Sequence, residues 1–375
     1  MGHYDIVIVG GGLAGLTAAI HLSQEKHNVL VIEKKEYPHH KVCGEYVSNE
    51  IVPYLNTLGV ALSSKEAVQI NTLQLSTVKG KSLKTKLPLG GVGISRYAFD
   101  FQLYQRAIAL GVHFVFESVS SVKFQSFVFE VVTSKNKKFT STMTIGAYGK
   151  RSGLDKQLNR DFIAQKSSWL GVKSHYQYDD IPEDLVALHN FRGGYGGLSK
   201  TETGAVNFCY LASYDSFQKE KDVKSFNEKV VAQNPFLNSF LEKAKPIFES
   251  PLTIAQISFH EKKTVENHII MCGDTAGLIH PLCGNGMAMA IHSAKIASEG
   301  IHKFLANKNY SRSQFEEDYD KEWRKAFGQR LWMGEKLQAL LLNEGLSDKA
   351  IGLVARAPML LRKMIKSTHG KPIKC

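Results

Sequence analysis

The sequence predicts an α/β protein: a Rossmann-like domain that is interrupted by an inserted antiparallel sheet and followed by a helical C-terminal region. Three patterns indicate this class. Residues 4–33 contain a strand, a glycine-rich turn, a helix and a second strand, which together make a βαβ unit. Residues 166–213 contain one strand pattern after another, which indicates an antiparallel sheet. Residues 311–368 have mostly helical spacing, with Gly345 as a stop and Ser347 as an N-cap.

The βαβ unit is defined by simple patterns. Residues 4–9 are a short β-branched apolar run, typical of a buried parallel strand. The glycines between Gly10 and Gly15 interrupt this run. Residues 14–25 then have the pattern of a helix, and residues 28–33 that of the second strand, so the crossover is short.

The remaining elements follow along the chain. We predict a hairpin at 70–88, a helix at 99–110, strands at 112–116, 119–124 and 127–133, a helical region at 219–245 broken by Pro235, a buried strand at 268–272 and a helix at 286–305. These elements divide the chain into three parts. The Rossmann-like domain comprises residues 1–69, 95–165 and 255–310, the inserted sheet domain 70–94 and 166–254, and the helical region 311–375.

Composition places the chain among ordinary globular proteins, with 43% hydrophobic and 22% charged residues. No apolar run reaches the roughly 18 to 20 residues that cross a bilayer. The N-terminus enters a strand pattern at once and carries no secretory leader pattern, so we expect a cytoplasmic protein. The five cysteines are scattered and lack CxxC spacing, which favours reduced thiols over a disulfide framework or a zinc site.

The formal charge of +12 favours anionic partners. After Asp348 the chain carries seven lysines and arginines and no acidic residue. Two interpretations of residues 350–374 stay open: a helix that contacts an anionic membrane surface, and a packed helix with a solvated tail. Basic residues do not form a recognised nucleic-acid motif, so we expect no nucleic-acid partner.

The glycine motif between the first strand and the first helix indicates a dinucleotide site. Gly10 allows the tight turn, Gly12 lets the backbone approach a pyrophosphate, and Gly15 lets the helix pack on the strand. Phosphates then lie at the helix N-terminus, where unpaired N–H groups favour an anion. An acidic residue ends the second strand about twenty residues later and suits a ribose hydroxyl. The residues assigned to the cofactor here are Gly10, Gly12, Leu13, Ala14, Gly15, Glu33 and Lys34.

A second glycine-rich stretch, residues 272–294, favours FAD over NAD. Asp274 follows a buried strand and a glycine, where its carboxylate can accept from the hydroxyls of a ribityl chain. Pro281 stiffens the turn. Gly284 and Gly286 remove side chains where a flat ring must approach, and the helix that begins near Gly286 turns its positive dipole end toward a flavin anion.

These motifs identify a family resemblance. The sequence GDTAGLIHPLCGNGMAMA resembles the second FAD motif of the p-hydroxybenzoate-hydroxylase-like flavoproteins, which include aromatic-ring hydroxylases, geranylgeranyl reductases and flavin-dependent halogenases. RYAFDFQLYQRA at 96–107 is similar to the segment whose arginine lies along the FAD, which implies that role for Arg96. KVCGE at 41–45 resembles the geranylgeranyl-reductase turn near the isoalloxazine and implies that Cys43 lies there. By the same resemblance the backbone of Val119 meets the adenine.

The sequence departs from the family at three places. The G-A-D-G segment of many hydroxylases reads GAYGKRS, so Tyr148 replaces the aspartate, and Lys150 and Arg151 add positive charge. The electron donor therefore stays open between transient NAD(P)H and a separate flavin reductase. The WxWxIP segment of the halogenases is absent, and the Y.W.FP-like stretch of the geranylgeranyl reductases keeps only Tyr195.

The resemblance implies an FAD-dependent oxidoreductase acting on a lipophilic small molecule. We favour a monooxygenase that hydroxylates a phenolic substrate through a flavin C4a-hydroperoxide. The alternative is a reductase of isoprenoid carbon–carbon double bonds, which the KVCGE turn and the basic C-terminus favour. A halogenase and a non-catalytic FAD-binding protein are less favoured.

Four side chains are the candidate catalytic residues: Cys43, Glu45, Tyr195 and His280. For Cys43, Glu45 and His280 the alternatives are a packed thiol, a helix cap and a hydrogen bond behind the site. We expect no metal site, because no further ligand has suitable spacing to His39, His40 and Cys43. The predicted sheet offers aromatic side chains to the substrate or to its own core, namely Trp169, His175, Tyr176, His189, Phe191, Tyr195, Phe208 and Tyr210.

Overall fold

The structure is a computed structural model that describes residues 2–63, 66–165, 167–220, 222–356 and 358–374. Its strands are β1 Gly2–Val9, β2 Val29–Glu33, β3 Tyr46–Ser48, β4 Val68–Ser76, β5 Ser82–Gly93, β6 His113–Phe116, β7 Val119–Gln125, β8 Val128–Thr133, β9 Lys138–Gly146, β10 Trp169–Gln177, β11 Leu185–Phe191, β12 Gly194–Lys200, β13 Val206–Ser213, β14 Lys245–Pro246, β15 Leu252–Ile257, β16 Val265–Glu266 and β17 Ile269–Met271. Its α-helices are α1 Leu13–Gln24, α2 Val52–Thr57, α3 Arg96–Ala109, α4 Gly153–Gln157, α5 Tyr214–Phe217, α6 Val223–Lys229, α7 Pro235–Lys243, α8 Gly286–Ala306, α9 Arg312–Leu342, α10 Glu344–Arg356 and α11 Pro358–Thr368.

The first sheet is the centre of the Rossmann-like domain. Its main path, within the described residues, has the order β16-β17-β9-β1-β2-β6, and β7 and β8 continue it from β9 as an antiparallel meander. β1 pairs in parallel with both β2 and β9. Ile6, Val7 and Ile8 are completely buried, as expected for a strand covered on both sides. Because β1, β2, β9 and β17 run parallel, the carboxyl ends of β1, β2 and β17 lie at one edge of the sheet. α1 and α8 pack together beside this sheet.

The second sheet is largely antiparallel, as the strand patterns predict. It has the order β14-β10-β13-β12-β11-β4-β5-β3, β15 pairs with β10, and the β4–β11 pair is parallel. One side packs on α6 and α7 in a cluster that includes Val172, Phe208 and Phe240. The other side contributes Tyr195 and Leu211 to a cluster with the loop that follows β17.

This two-sided packing shows on which side of the second sheet each of the eight predicted aromatic residues lies. Alternation along β10, β12 and β13 turns Trp169, His175 and Tyr195 toward the Rossmann-like domain. Five others lie on the side of α6 and α7 and belong to the core or to buried contacts there, namely Tyr176, His189, Phe191, Phe208 and Tyr210. These five are therefore packing residues, which was the alternative interpretation.

The predicted break of the helical region at Pro235 is confirmed: α6 ends before it, and Pro235 begins α7, because proline fits the first helical turn and Asn234 caps it. The structure corrects one helix boundary. Gly345 and Ser347 both lie inside α10 instead of marking a stop and a cap. The side chain of Asn343 accepts from the Leu346 amide at 3.0 Å and so provides the N-terminal cap.

The second sheet also includes β3, which lies in a segment assigned to the Rossmann-like domain, and β15, which extends into another such segment. The proposed domain boundaries stay a prediction. The helical region packs on both parts: Phe315, Trp323 and Phe327 of α9 join the core of the first sheet. Val354, Leu361 and other apolar residues of α10 and α11 pack on the β4–β5 hairpin. Among the described helices, none combines the length and the hydropathy that crossing a bilayer needs.

The glycine at the start of α1 gives a first test of the fold. A methyl group at Gly15 would collide with the backbone carbonyl of Gly10, whereas Gly328 in α9 is exposed and has open space. We expect Gly15→Ala to lower the free energy of unfolding by about 1–3 kcal/mol or more. Gly328→Ala should raise it by about 0.5–1 kcal/mol through helix propensity. Denaturant unfolding of both variants checks this, and equal stability of Gly15→Ala and the wild type would contradict the tight packing of the turn.

Candidate active site

The loop between β1 and α1 is shaped to hold an anion. Gly10 has φ +103°, and a side chain there would collide with the backbone of Ala147. A Cβ at Gly12 would meet only two cationic groups, Arg96 Nη2 at 3.7 Å and Lys41 Nζ at 3.9 Å. Among the described residues no side chain caps the N-terminus of α1, so its first N–H groups can face a ligand.

The cations beside Gly12 belong to a buried triad. Arg96 donates to both carboxylate oxygens of Asp100 at 2.7 Å, and Lys41 donates to the same carboxylate at 2.8 Å. Burial alone would raise the pKa of Asp100, but the positive charges of Arg96 and Lys41 hold it below its ordinary value. Two cations share one carboxylate, so the triad keeps a net positive charge that suits a pyrophosphate.

Glu33 is fixed at the end of β2 next to this loop. Its carboxylate accepts from the amide of Gly11 at 2.7 Å and from the amide of Lys35 at 3.3 Å. The hydroxyl of Tyr37 donates to the carbonyl oxygen of Gly11 at 2.5 Å. The Glu33 carboxylate is therefore fixed beside the loop, and its contact with a ribose hydroxyl stays a prediction. Lys34 is exposed beside it, and Val119 lies half-buried at the start of β7.

The second glycine-rich loop lies against the first. A Cβ at Gly273 would be 3.1 Å from the Cβ of Ala14 in α1. Gly284 adopts the left-handed conformation with φ +62°, and no side chain caps the start of α8 at Gly286. The two helix N-termini and the Arg96–Asp100–Lys41 triad thus surround one region, and these residues fit an FAD with its phosphates at α1 and its ring near α8.

Asp274 is partly exposed at the entrance to this second loop. Its carboxylate lies 4.0 Å from Lys150 Nζ. Behind it, Lys262 donates to the carbonyl oxygens of Asp274 and Lys150 at 2.8 and 2.9 Å. Lys262 is only 5% exposed, and burial lowers its pKa to about 8. Lys262 could not be singled out from the sequence, because it stands between Glu261 and Lys263 in a stretch that has the composition of a surface.

The KVCGE turn links the two sheets. The Cys43 thiol is close enough to the Arg96 guanidinium to contribute, after Asp100, to the raised pKa of Arg96. The Cys43 carbonyl accepts from Asn207 of β13 at 3.2 Å. Cys209, two residues along the same strand, has its pKa raised to about 12 by burial and then by the neighbouring Cys43. Cys43 therefore lies between the triad at the cofactor site and the second sheet.

Glu45 is the most constrained residue of this turn. It is fully buried with φ +54°. Its carboxylate accepts from the Arg96 amide at 2.7 Å, from Lys173 Nζ at 2.5 Å and from His175 Nε2 at 2.7 Å. Lys173 is also completely buried and donates to the carbonyl oxygen of Lys41 at 3.2 Å. Burial would raise the pKa of Glu45, but His175 and Lys173 hold it below its ordinary value.

Lys173 is not among the residues predicted for the site, and His175 is predicted only as one of several sheet residues. The two are two positions apart on β10, so both side chains project from the same side of the sheet. His40 stands next to them, with its ring centroid 5.2 Å from that of His175. Burial and the charge of Lys173 lower the pKa of His40 to about 4.

Nitrogen and oxygen atoms of His40, Glu45 and His175 lie within 4.8 Å of one another, a spacing that also suits a metal ion. The expectation of no metal rested on sequence spacing, which cannot reveal that His175 joins this group. The Lys173 ammonium already occupies one oxygen of Glu45 and would repel a cation. The arrangement is therefore that of a buried carboxylate with its hydrogen-bond donors.

The other two candidate catalytic residues lie near the second loop. The Tyr195 hydroxyl donates to Gln338 of α9 at 3.1 Å and accepts from the Leu282 amide at 3.2 Å. His280 stacks on Phe259 with ring centroids 4.0 Å apart, and burial lowers its pKa. Pro281 begins the short turn that follows His280 and includes Leu282. Tyr195 ties the sheet to the loop, and catalytic roles for both stay predictions.

The fold and the paired glycine loops define an FAD-dependent oxidoreductase of the Rossmann type. Residues 3–331 match the family model described as FAD binding domain. The chain belongs to this family, as its resemblance to the p-hydroxybenzoate-hydroxylase-like flavoproteins predicts.

Relatives match nearly the whole chain. Conditioned medium factor receptor 1 of Dictyostelium discoideum is 21% identical over 90% of this chain and 71% of its own length. Digeranylgeranylglycerophospholipid reductase of Methanococcus vannielii is 24% identical over 94% of this chain and 90% of its own length.

Solved structures share the fold. The flavin-dependent brominase Bmp2 is 17% identical with a TM-score of 0.81, covering 98% of this chain and 93% of its own. A geranylgeranyl bacteriochlorophyll reductase-like protein of Thermoplasma acidophilum is 19% identical with a TM-score of 0.77, covering 95% and 92%.

The Glu33 carboxylate gives a test of the cofactor site. We expect Glu33→Gln to weaken FAD binding about tenfold to a hundredfold, because a hydrogen bond to a charged acceptor contributes about 1.5–3 kcal/mol. Glu36→Gln makes the same chemical change at an exposed position three residues on and should leave the dissociation constant unchanged. Fluorescence titration of the apoproteins with FAD measures both, and equal affinities would exclude Glu33 as a ligand.

The buried Glu45 carboxylate gives a test of the turn. Glu45→Gln leaves the Lys173 ammonium buried without its counter-charge, so we expect a loss of about 3–5 kcal/mol in the free energy of unfolding at pH 7. Because the folded pKa of Glu45 is depressed, its stabilisation is complete above the ordinary glutamate pKa and is lost as the pH falls through the folded value. The difference between variant and wild type should therefore shrink in acid.

Two further variants make this test specific. Glu45→Gln combined with Lys173→Met removes both charges and should recover most of the loss. Asp180→Asn breaks the exposed pair with Lys243 and should cost less than about 1 kcal/mol. Unfolding curves from pH 3 to 8 decide the matter, and a Glu45→Gln variant as stable as wild type at pH 7 would refute the buried ion pair.

Proposed function

We propose that the protein is an FAD-dependent reductase of carbon–carbon double bonds in an isoprenoid, lipid-like substrate. The observation that carries the proposal is the Lys41–Glu45 turn, with Cys43 between the Arg96 guanidinium and the strand of Asn207 and Cys209. The name of the Methanococcus vannielii relative, which matches 94% of this chain, supports the same chemistry.

The reaction divides between cofactor and protein. Reduction of a double bond adds one hydride to one carbon and one proton to the other. Reduced FAD, when bound, would supply the hydride, and a reduced nicotinamide or a separate flavin reductase would restore the two electrons. The chain's own part is to orient the alkene, exclude water and hold the proton. We assign the proton to the Cys43 thiol, with the Lys173–Glu45 pair fixing the turn on which the thiol lies.

Hydroxylation of a phenolic ring is the second candidate. Trp169, Phe259 and His280 form an aromatic group on the side of the second sheet that faces the second loop, which favours an aromatic substrate. We rank it second because five of the eight aromatic residues expected to face the substrate belong to the packing on α6 and α7. A protein that holds FAD without turnover is the third outcome.

An anaerobic assay separates these functions. The holoprotein is reduced with dithionite, which bypasses the unknown electron donor, and is then mixed with a geranylgeranyl lipid. We expect the flavin to reoxidise and the lipid to gain one H₂ per double bond by mass spectrometry. A parallel assay supplies O₂ and a phenol in place of the lipid. Incorporation of one oxygen atom into the phenol there, without reduction of the lipid, would instead support the monooxygenase.

A matched pair of thiol variants tests the assigned proton donor. Cys43→Ala should bind FAD normally but reduce the lipid at least about a hundredfold more slowly, since general acid catalysis contributes about 10²–10⁴-fold. Cys209→Ala removes the neighbouring thiol and should keep most of the activity. If both variants reduce the lipid at the wild-type rate, Cys43 is not the acid.

A further inference from the structure

The outer face of α10 and α11 combines exposed apolar and cationic side chains. Leu346 and Leu353 stand seven residues apart on α10 and are 50% and 61% exposed. Met359, at the start of α11, is 84% exposed. Large aliphatic side chains that are at least half exposed and close together favour an interaction surface.

Cations lie among these apolar residues. Lys349 follows Leu346 by three positions on α10, and on α11 Arg362, Lys363 and Lys366 are exposed three, four and seven positions after Met359. This spacing puts them on one side of each helix. We call these residues, with Leu346, Leu353 and Met359, the C-terminal basic face.

The opposite sides of α10 and α11 are buried against the β4–β5 hairpin. Val354 of α10 and Leu361 and Ile365 of α11 form one buried cluster with Ile70 and Leu87 of the β4–β5 hairpin. Because both helices bury their apolar sides against the same hairpin, their opposite sides turn outward together. No acidic residue occurs after Asp348, and the backbone carbonyl of Asp348 itself accepts from Lys81.

We infer that the C-terminal basic face is the surface by which this protein docks on an anionic phospholipid bilayer. Cations attract acidic headgroups, and interleaved aliphatic side chains enter the boundary between headgroups and acyl chains. A nucleic acid would also attract the cations but offers no hydrocarbon layer to Leu353 and Met359, so the apolar residues favour a membrane.

The docking surface is connected to the cofactor site. Asn285, which precedes α8 in the second glycine-rich loop, donates to the carbonyl oxygen of Thr368 at the end of α11 at 2.8 Å. The amide of Ile373 donates to the carbonyl oxygen of Glu50 at 2.8 Å. On the proposed function, a substrate with an isoprenoid chain would therefore leave the bilayer close to the loop that holds the flavin ring. The docking itself does not depend on that function.

Vesicle flotation with the FAD-loaded full chain tests the inference. We expect binding to phosphatidylcholine vesicles that contain a third of phosphatidylglycerol, weak binding to pure phosphatidylcholine, and loss of binding as salt shortens the screening length. Each cation near such a surface strengthens partitioning about fivefold, so Arg362→Gln, Lys363→Gln and Lys366→Gln together should weaken it about a hundredfold. Leu353→Ser with Met359→Ser should also weaken binding, with no change in its dependence on salt.

A triple variant with the same charge change provides the control. Lys123, Lys135 and Lys219 are exposed on other elements, and their replacement by glutamine should leave flotation unchanged. Flavin absorbance and unfolding curves show that each variant is folded. Equal flotation of the two triple variants, absence of wild-type binding at low salt, or binding of RNA without binding of vesicles would overturn the inference. Vesicle binding without lipid reduction would reject the proposed function alone.

Discussion

The burial of the Glu45 carboxylate is the constraint on which the arrangement of the site depends. A carboxylate that leaves water must recover its solvation from fixed donors, and Glu45 finds three: the Arg96 amide, Lys173 and His175. The first belongs to the start of α3 and the other two to β10. One side chain therefore fixes the KVCGE turn, the helix of the Arg96–Asp100–Lys41 triad and the second sheet relative to one another.

That constraint also organises the charge around the cofactor loop. The triad has one carboxylate for two cations, and Lys173 is neutralised by Glu45 rather than by Asp100. The positive charge that remains is therefore concentrated beside Gly12 and the uncapped start of α1. Because Arg96 and Lys41 share the single carboxylate of Asp100, the excess positive charge stays at the triad, where it can attract an anion.

The parts that the sequence predicts well are those that local sterics dictate. Gly10 and Gly284 adopt positive φ where a side chain would strain the turn, so their spacing in the sequence carries structural information by itself. Partnerships across the fold are different. Lys173 and Glu45 are separated by 128 positions, and the alternation of β10 gives the side on which Lys173 lies but not what it meets. The start of α10 has a different, local cause: Asn343 and Ser347 are both good capping residues, and the side chain of Asn343 provides the cap.

The C-terminal segment shows how the three parts act as one unit. Burial raises the pKa of Glu50, and Arg330 of α9 donates to its carboxylate at 3.2 Å, which opposes that rise. The backbone carbonyl of Glu50 accepts from the Ile373 amide, and Asn285 donates to the Thr368 carbonyl. Residues 368–373 are therefore attached both to the turn before α2 and to the second glycine-rich loop. A helical region that only covered hydrophobic surface would need no polar contacts at these points. Because Asn285 is hydrogen-bonded to the last residue of α11, the position of that helix end and the start of α8 are set by one shared contact.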